Sequence, residues 1–228
     1  MKTITKLLAA ILLLGSIIPV CAQAYKTREV ANAPAFTAVE VNGGDVNVYF
    51  SQGEGYSFSV NGPAKLVKAI KIKVKENTLF IDYAEPFFTG DDDVAVYVTA
   101  PKLDRIAASG ETDFEIKTPF QTEELTIKTR QNGEVSIKNA TIGQLKIDAK
   151  GSSSVDIDYL EAQIIRVSSL DRAEVELAGR TGQMEILAKG VFAEVDAKKL
   201  TITQPAAANG EVAGQVAKDG SVEFTFND

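Results

Sequence analysis

Carboxylates dominate the side chains of this chain that could do chemistry, and they come in two arrangements. Gly90-Asp91-Asp92-Asp93 sets three of them in consecutive positions. Farther on, Asp113, Glu134 and Glu174 recur at near-multiples of about twenty residues, and Glu115, Asp156 and Glu176 do the same. Clustered carboxylates suit two tasks. They hold a divalent cation such as calcium, which prefers oxygen ligands, or they act as the acid and base that cleave a glycosidic bond. Asp91, Asp92 and Asp93 are the calcium candidates, although consecutive acids lack the alternating ligands of an EF-hand loop. The plainer reading is a solvated loop, and for the two acid columns a solvated face interrupted by Ser136 and Ser154.

Two further groups are candidates for a binding surface. Phe87 and Phe88 precede the acidic loop and would anchor a partner or glycan if exposed; the alternative is packing in a core or cap. Arg130, Lys150 and Lys189 fall in one repeat column, and Lys146 and Arg166 in another. A basic ladder would grip an acidic polysaccharide, or it pairs with neighbouring acids and serves solubility.

What is missing narrows the chemistry. The chain has no histidine, and its one cysteine is Cys21. Met1 to Ala24 reads as a secretory leader: Lys2 and Lys6, an apolar run from Leu7 to Leu14, then small residues. The apolar run falls short of the roughly 20 residues of a membrane span. Cleavage is expected after Ala22, with Ala24 as the alternative, leaving one domain from residue 23 to 228. Lipidation at Cys21 is the less favoured route, because Val20 replaces the small residue usual before a lipidated cysteine. Loss of the leader removes the only thiol, so the usual Cys and His ligands of zinc sites are absent, as is the most frequent general acid–base. The residues imply no cofactor. The charge of -7 becomes -9 once Lys2 and Lys6 leave, which argues against nucleic acid as a partner.

The elements that must position the candidates follow from a repeat. Aligned on one apolar residue, six copies appear: IAASGETDFEI from Ile106, IKTRQNGEVSI from Ile127, IDAKGSSSVDI from Ile147, VSSLDRAEVEL from Val167, ILAKGVFAEVDA from Ile186 and ITQPAAANGEV from Ile202. Their leads are spaced by 21, 20, 20, 19 and 16 residues. Two residues before the lead come Leu125, Leu145, Ile165, Met184 and Leu200; two after it come the small Ala108, Thr129, Ala149, Ser169 and Ala188. Beyond the turn the pairs are Phe114/Ile116, Val135/Ile137, Val155/Ile157 and Val175/Leu177. Period-two alternation puts all these columns on one face of short strands. Stacked hairpins give no reason for a strict twenty-residue period, whereas a parallel β-helix makes one coil per copy and piles like on like. The expected class is therefore all-β, a parallel β-helix over 101–228. Residues 30–100 form a strand-rich N-terminal part, either irregular rungs or a cap. NGPAKLVKAI supplies one short helix, with a cap at Asn61 or Gly62 and Pro63 near its first position. SVEFTFND is expected to close the far end.

VAVYVTAPKLDRIAASG, from Val94 to Gly110, resembles the strand, Pro-x-Leu and Ser-Gly entry of the bacterial head-GIN family of auto-transporter adhesins. FTAVEVNGGDVNVYFSQG and KENTLFIDY fit the same pattern upstream, so the resemblance runs from about Val30 to Phe224. It departs in the turns, where LDRA and VFAE replace the family's Ser-Gly signature. The resemblance implies a right-handed β-helix on a secreted protein and carries over no catalytic residue. The function expected is thus a non-enzymatic binding or spacer surface in the periplasm, on the cell surface or outside the cell, with a glycan or a surface protein as partner. The alternative is a polysaccharide-active enzyme using carboxylates on one face.

Overall fold

The computed structural model describes residues 25–83, 93–188, 191–203, 212–216 and 222–226. The leader expected at 1–22 lies outside them, as do Phe87, Phe88, Asp91, Asp92 and Lys189. The first half contains β1 (Tyr25–Val30), β2 (Ala38–Asn42), β3 (Val46–Gln52), β4 (Ser57–Pro63), α1 (Ala64–Ala69), β5 (Ile70–Lys75), β6 (Thr78–Tyr83) and β7 (Val94–Ala100). α1 is the expected helix, but it starts one residue later: Pro63 itself is the N-cap, with φ -55 and ψ 136. The β5–β6 hairpin turns on Glu76 and Asn77, both at positive φ (51° and 57°), the primed geometry that matches strand twist.

The repeats follow as β8 (Arg105–Ser109), β9 (Thr112–Ile116), β10 (Phe120–Arg130), β11 (Glu134–Ile137), β12 (Ala140–Gly151), β13 (Ser154–Asp171), β14 (Glu174–Ala188), β15 (Val191–Ala197) and β16 (Leu200–Thr203). Their pairing is parallel and in register. Ile106, Ile127, Ile147, Val167, Ile186 and Ile202 are successive partners across the strands. Leu125, Leu145, Ile165, Met184 and Leu200 form the neighbouring column, and Phe114, Val135, Val155 and Val175 the one beyond the turn. Nearly all are fully buried, in one cluster running from Phe36 to Val195. Each such side chain contributes roughly 1.5–3 kcal/mol by leaving water, which no single copy could achieve alone.

Each copy has a third strand segment that the alignment did not reveal. Phe120, Ala140, Leu160 and Gly179 are successive partners there. The chain then bends before the next lead strand, at Glu123, Gly143 and Gln163. The other corner carries a column of left-handed residues: Gly110 (φ 84°), Gln131 (58°), Gly151 (86°) and Asp171 (64°). Beside it the small column does double service. Thr129 Oγ1 and Ser153 Oγ share a hydrogen bond of 2.8 Å, and Ser169 Oγ donates to the Ala173 carbonyl at 2.8 Å, so the buried hydroxyls are satisfied.

All-β with one short helix therefore holds, but the sheet is mixed rather than uniformly parallel. β1 and β4 pair antiparallel, β4 with β7 likewise, and β5 with β6. β2 and β3 pair in parallel with β8 and β9, while β1 and β5 stand at the two ends of the strand order and β4 lies between β1 and β7. Chain order is broken there: β2–β3 sits between β6–β7 and β8–β9. The last copies also differ from expectation. In the fifth, the turn is shorter, so Leu177 meets Ala193 and the copy's final Ala197 meets Thr181. In the sixth, Val212 belongs instead to β17 (Val212–Val216), which pairs antiparallel with β18 (Val222–Phe226) as a separate sheet.

Candidate functional site

The wall formed by β7, β3, β9, β11, β13 and β14 brings together most of the carboxylates singled out by spacing. With Val48, Phe114, Val135 and Val155 turned inward, their neighbours must face water. Pairing then rules two rows across the strands. One reads Asn47, Asp113, Glu134, Ser154 and Glu174; the other reads Tyr97, Tyr49, Glu115, Ser136, Asp156 and Glu176. Both acid columns are thus real neighbours, with the two serines spacing them as the sequence indicates.

Electrostatics on this wall are strained. Partial desolvation raises the carboxyl of Asp113 above its ordinary value, and the charges of Glu115 and Asp93 add to it. Glu134 is raised by desolvation and then by Asp113, Asp156 and Glu115, against a hydrogen bond from Ser154. Asp45 is raised by desolvation with Asp93, Glu111 and Asp113, and Asp156 by desolvation with Asp158. Asp93, the one described member of the calcium candidates, is exposed and joins this field. Among the described residues, no group of three or more acids is arranged to hold a metal ion.

A pH dependence follows. These four acids bind protons more readily folded than unfolded, so stability falls as pH rises through the window above the ordinary carboxylate range of about 4. Asp148 runs the other way. Burial works to raise it, but the hydrogen bond and charge of Arg130, with Lys150 and Lys128, outweigh that and hold its carboxyl low. Acidification from pH 7 to 5 should therefore raise the melting temperature, since Asp148 stays ionised in that range. Added salt at pH 7 should do the same by screening the repulsion. Asp113→Asn should reproduce part of the gain, a few tenths of a kcal/mol given its exposure. Thermal denaturation at the two pH values checks this; a lower melting temperature at pH 5 would contradict it.

Three members of the two basic columns have acidic partners. Arg130 lies 2.9 Å from Asp148 Oδ2 and also donates to the Thr129 and Asp148 carbonyls at 2.8 Å. Lys150 reaches Asp148 Oδ1 at 3.7 Å, and Arg166 reaches Glu185 at 3.4 Å. Arg130 and Lys150 occupy adjacent strands, as the column predicts, and both pair with Asp148. Lys189 lies outside the described residues, as do the aromatic candidates Phe87 and Phe88.

Two features escaped sequence reasoning. Tyr49 and Tyr97 are direct cross-strand partners whose rings stack at 5.2 Å and 24°. The signal was present in VNVYF and VAVYV, where Tyr takes the outward parity of an otherwise apolar strand. Lys117 sits 5.0 Å over the Tyr49 ring and 2.6 Å from Glu115. Desolvation, then Glu115, raises the Tyr49 phenol. The second feature is an open groove at the bend of the third segment, lined by Gln52, Gln121, Thr141, Gly143, Glu161 and Gln163. Gln52 acts there as a substitute strand: its Nε2 donates to the Pro101 and Gln121 carbonyls, and its Oε1 accepts from the Gln121 amide, all at 2.9 Å.

This geometry defines a class: an all-β protein whose mixed sheet rules rows of polar side chains across an exposed face. The chain belongs to the head GIN domain family, described as putative auto-transporter adhesins, whose profile matches residues 35–224. Similar solved structures are putative adhesins of Bacteroides fragilis NCTC 9343 (18% identity, 80% of this chain and 94% of that one, TM-score 0.65) and Parabacteroides distasonis ATCC 8503 (14%, 81% and 94%, 0.63). Another, from Parabacteroides merdae ATCC 43184, has 14% identity over 79% and 94%, with a TM-score of 0.52. At these identities the likeness speaks to the fold. No curated protein matches the chain. Among the described residues no helix is long and apolar enough to cross a membrane.

Proposed function

We propose that this chain is an exported, non-enzymatic surface module: one domain after its leader, with a right-handed parallel β-helix body whose outer wall contacts a glycan or surface protein. The observation that carries this is the wall itself. Coils in register from β3 to β14 hold two straight rows of Tyr, Asp, Glu and Ser on one exposed face. Such a surface is rigid before any partner arrives, so little ordering opposes binding. The family match and the likeness to structures described as putative adhesins support the same reading.

A specific observation favours the enzyme alternative enough to test it. Asp113 and Glu134 are cross-strand partners with raised carboxyls, and a glycosidase needs one raised carboxyl as its acid beside a second that stays ionised. They stand side by side on an open wall, however, and a glycosidic bond must be flanked by its two carboxyls. Treating intact producing cells with a protease should degrade the protein, while protection until the envelope is permeabilised would sink surface display. Release of reducing ends from a polysaccharide, abolished by Glu134→Gln, would favour the enzyme.

A further inference from the structure

The wall's second row continues past Tyr97 to Ser59 and then Glu29, its partners across β4 and β1. Neighbouring strands lie about 4.8 Å apart, and two rings on adjacent strands at 5.2 Å and 24° must stand upright, face to face. One face of Tyr49 is covered by Tyr97 and the other by Lys117. Tyr97 keeps its second face open over the small side chain of Ser59, and the residue is 48% exposed. Among the described residues no other ring or cation lies over it. Glu29, exposed, stands across the slot, two strand spacings or about 10 Å from the Tyr97 strand.

The floor is polar and uncharged. Ser59, Ser57 and Asn61 from β4 share it with Thr27 and Thr99. Inward parity goes to Val60, Val96 and Val98, which are buried, so these hydroxyls and the amide face outward. A ligand that fits has a flat face of polarised C–H groups to lie on an aromatic ring, and hydroxyls at its edge to donate to a carboxylate and to Ser and Asn oxygens. That is the description of a sugar ring. Charge narrows it further: Glu29 lies in the slot and the acid rows extend beyond, so a uronate or sulfate would meet repulsion. The dense acids lie behind Tyr49 and Lys117, away from the open ring face, so nothing in the slot itself calls for a strongly cationic ligand.

We propose that the slot between Tyr97 and Glu29 binds a neutral saccharide ring, stacked on Tyr97 and hydrogen-bonded to Glu29 and Ser59. This deepens the wall-binding reading and rests on it. The test uses the whole mature chain with neutral oligosaccharides of glucose, mannose and galactose, their uronate counterparts, and a lysine-rich peptide, followed by calorimetric titration. Binding to at least one neutral oligosaccharide is expected, weakened about tenfold by Tyr97→Ala and several-fold by Glu29→Gln, and retained in Tyr97→Phe and in Lys128→Gln on another side. Circular dichroism confirms that Tyr97→Ala, an exposed change, stays folded. Binding unaffected by Tyr97→Ala overturns the slot while leaving the wall-binding reading intact. Preference for the uronates or the peptide, or no neutral sugar bound, also overturns the proposal; cell attachment lost in Glu134→Gln would then show that the wall still acts.

Discussion

Replacing Phe114 with alanine should lower the unfolding free energy by about 4 kcal/mol, within the range for deleting a buried aromatic ring. Phe114 is completely buried, and its backbone partners Val48 on one side and Val135 on the other. The rest of its column is valine, so this one ring fills space that its neighbours do not. Its ring stacks at 6.5 Å on Phe50, which in turn meets Phe120 edge-on at 6.0 Å. These three rings join β3 to β9 and β10. Truncation would leave a cavity at a junction held by paired strands on both sides, where collapse is hard. Urea denaturation of the two proteins measures the difference. A loss below about 1 kcal/mol would mean that the junction closes up, contrary to a core fixed by register.

Gly179→Ala should cost about 3 kcal/mol, because of what an added methyl would meet. Between Ile157 and Leu160 β13 has two residues, Asp158 and Tyr159, where β14 has only Ala178. The shorter strand recovers its register through Gly179 at φ +150°. A methyl there would lie 1.9 Å from the Leu160 carbonyl oxygen and 2.7 Å from its carbon and nitrogen. Those are backbone atoms, which cannot swing aside without breaking the ladder, so strain and overpacking add. Gly55→Ala is the comparison. Its φ is +81° with nothing within 4 Å of the added carbon, so only backbone strain of about 1 kcal/mol applies. Equal melting temperatures for the two variants would refute the clash.

The internal columns were readable because two independent periods coincide. Alternation assigns Ile127, Ile147 and Val167 inward, and the twenty-residue return makes them neighbours. Corners were half readable. Gly110 and Gly151 stand where a left-handed residue is needed, but Gln131 and Asp171 take the same conformation, and nothing in their side chains requires it. Asp171 gains one return, accepting a hydrogen bond from the Gly151 amide at 3.3 Å. The displaced fifth copy was hidden because several small and apolar residues near Val195 satisfy the alternation equally well. The tyrosine pair needed knowledge of which strands adjoin. Val46 and Val48 are interchangeable with any other inward valines, so FTAVEVNGGDVNVYF does not state that it lies beside VAVYVTA on one flank and TDFEI on the other.

That out-of-order placement bears on how the molecule assembles. A polypeptide emerging N-terminus first presents β2 and β3 long before either flank exists, because one flank is made of β6 and β7 and the other of β8 and β9. Two strands without neighbours are marginal in water. Stable growth must therefore wait until about residue 116 has appeared, after which each later parallel strand finds a paired neighbour already formed. Assembly of this molecule would begin in its interior and run towards its C-terminus, with the opening segment held in reserve.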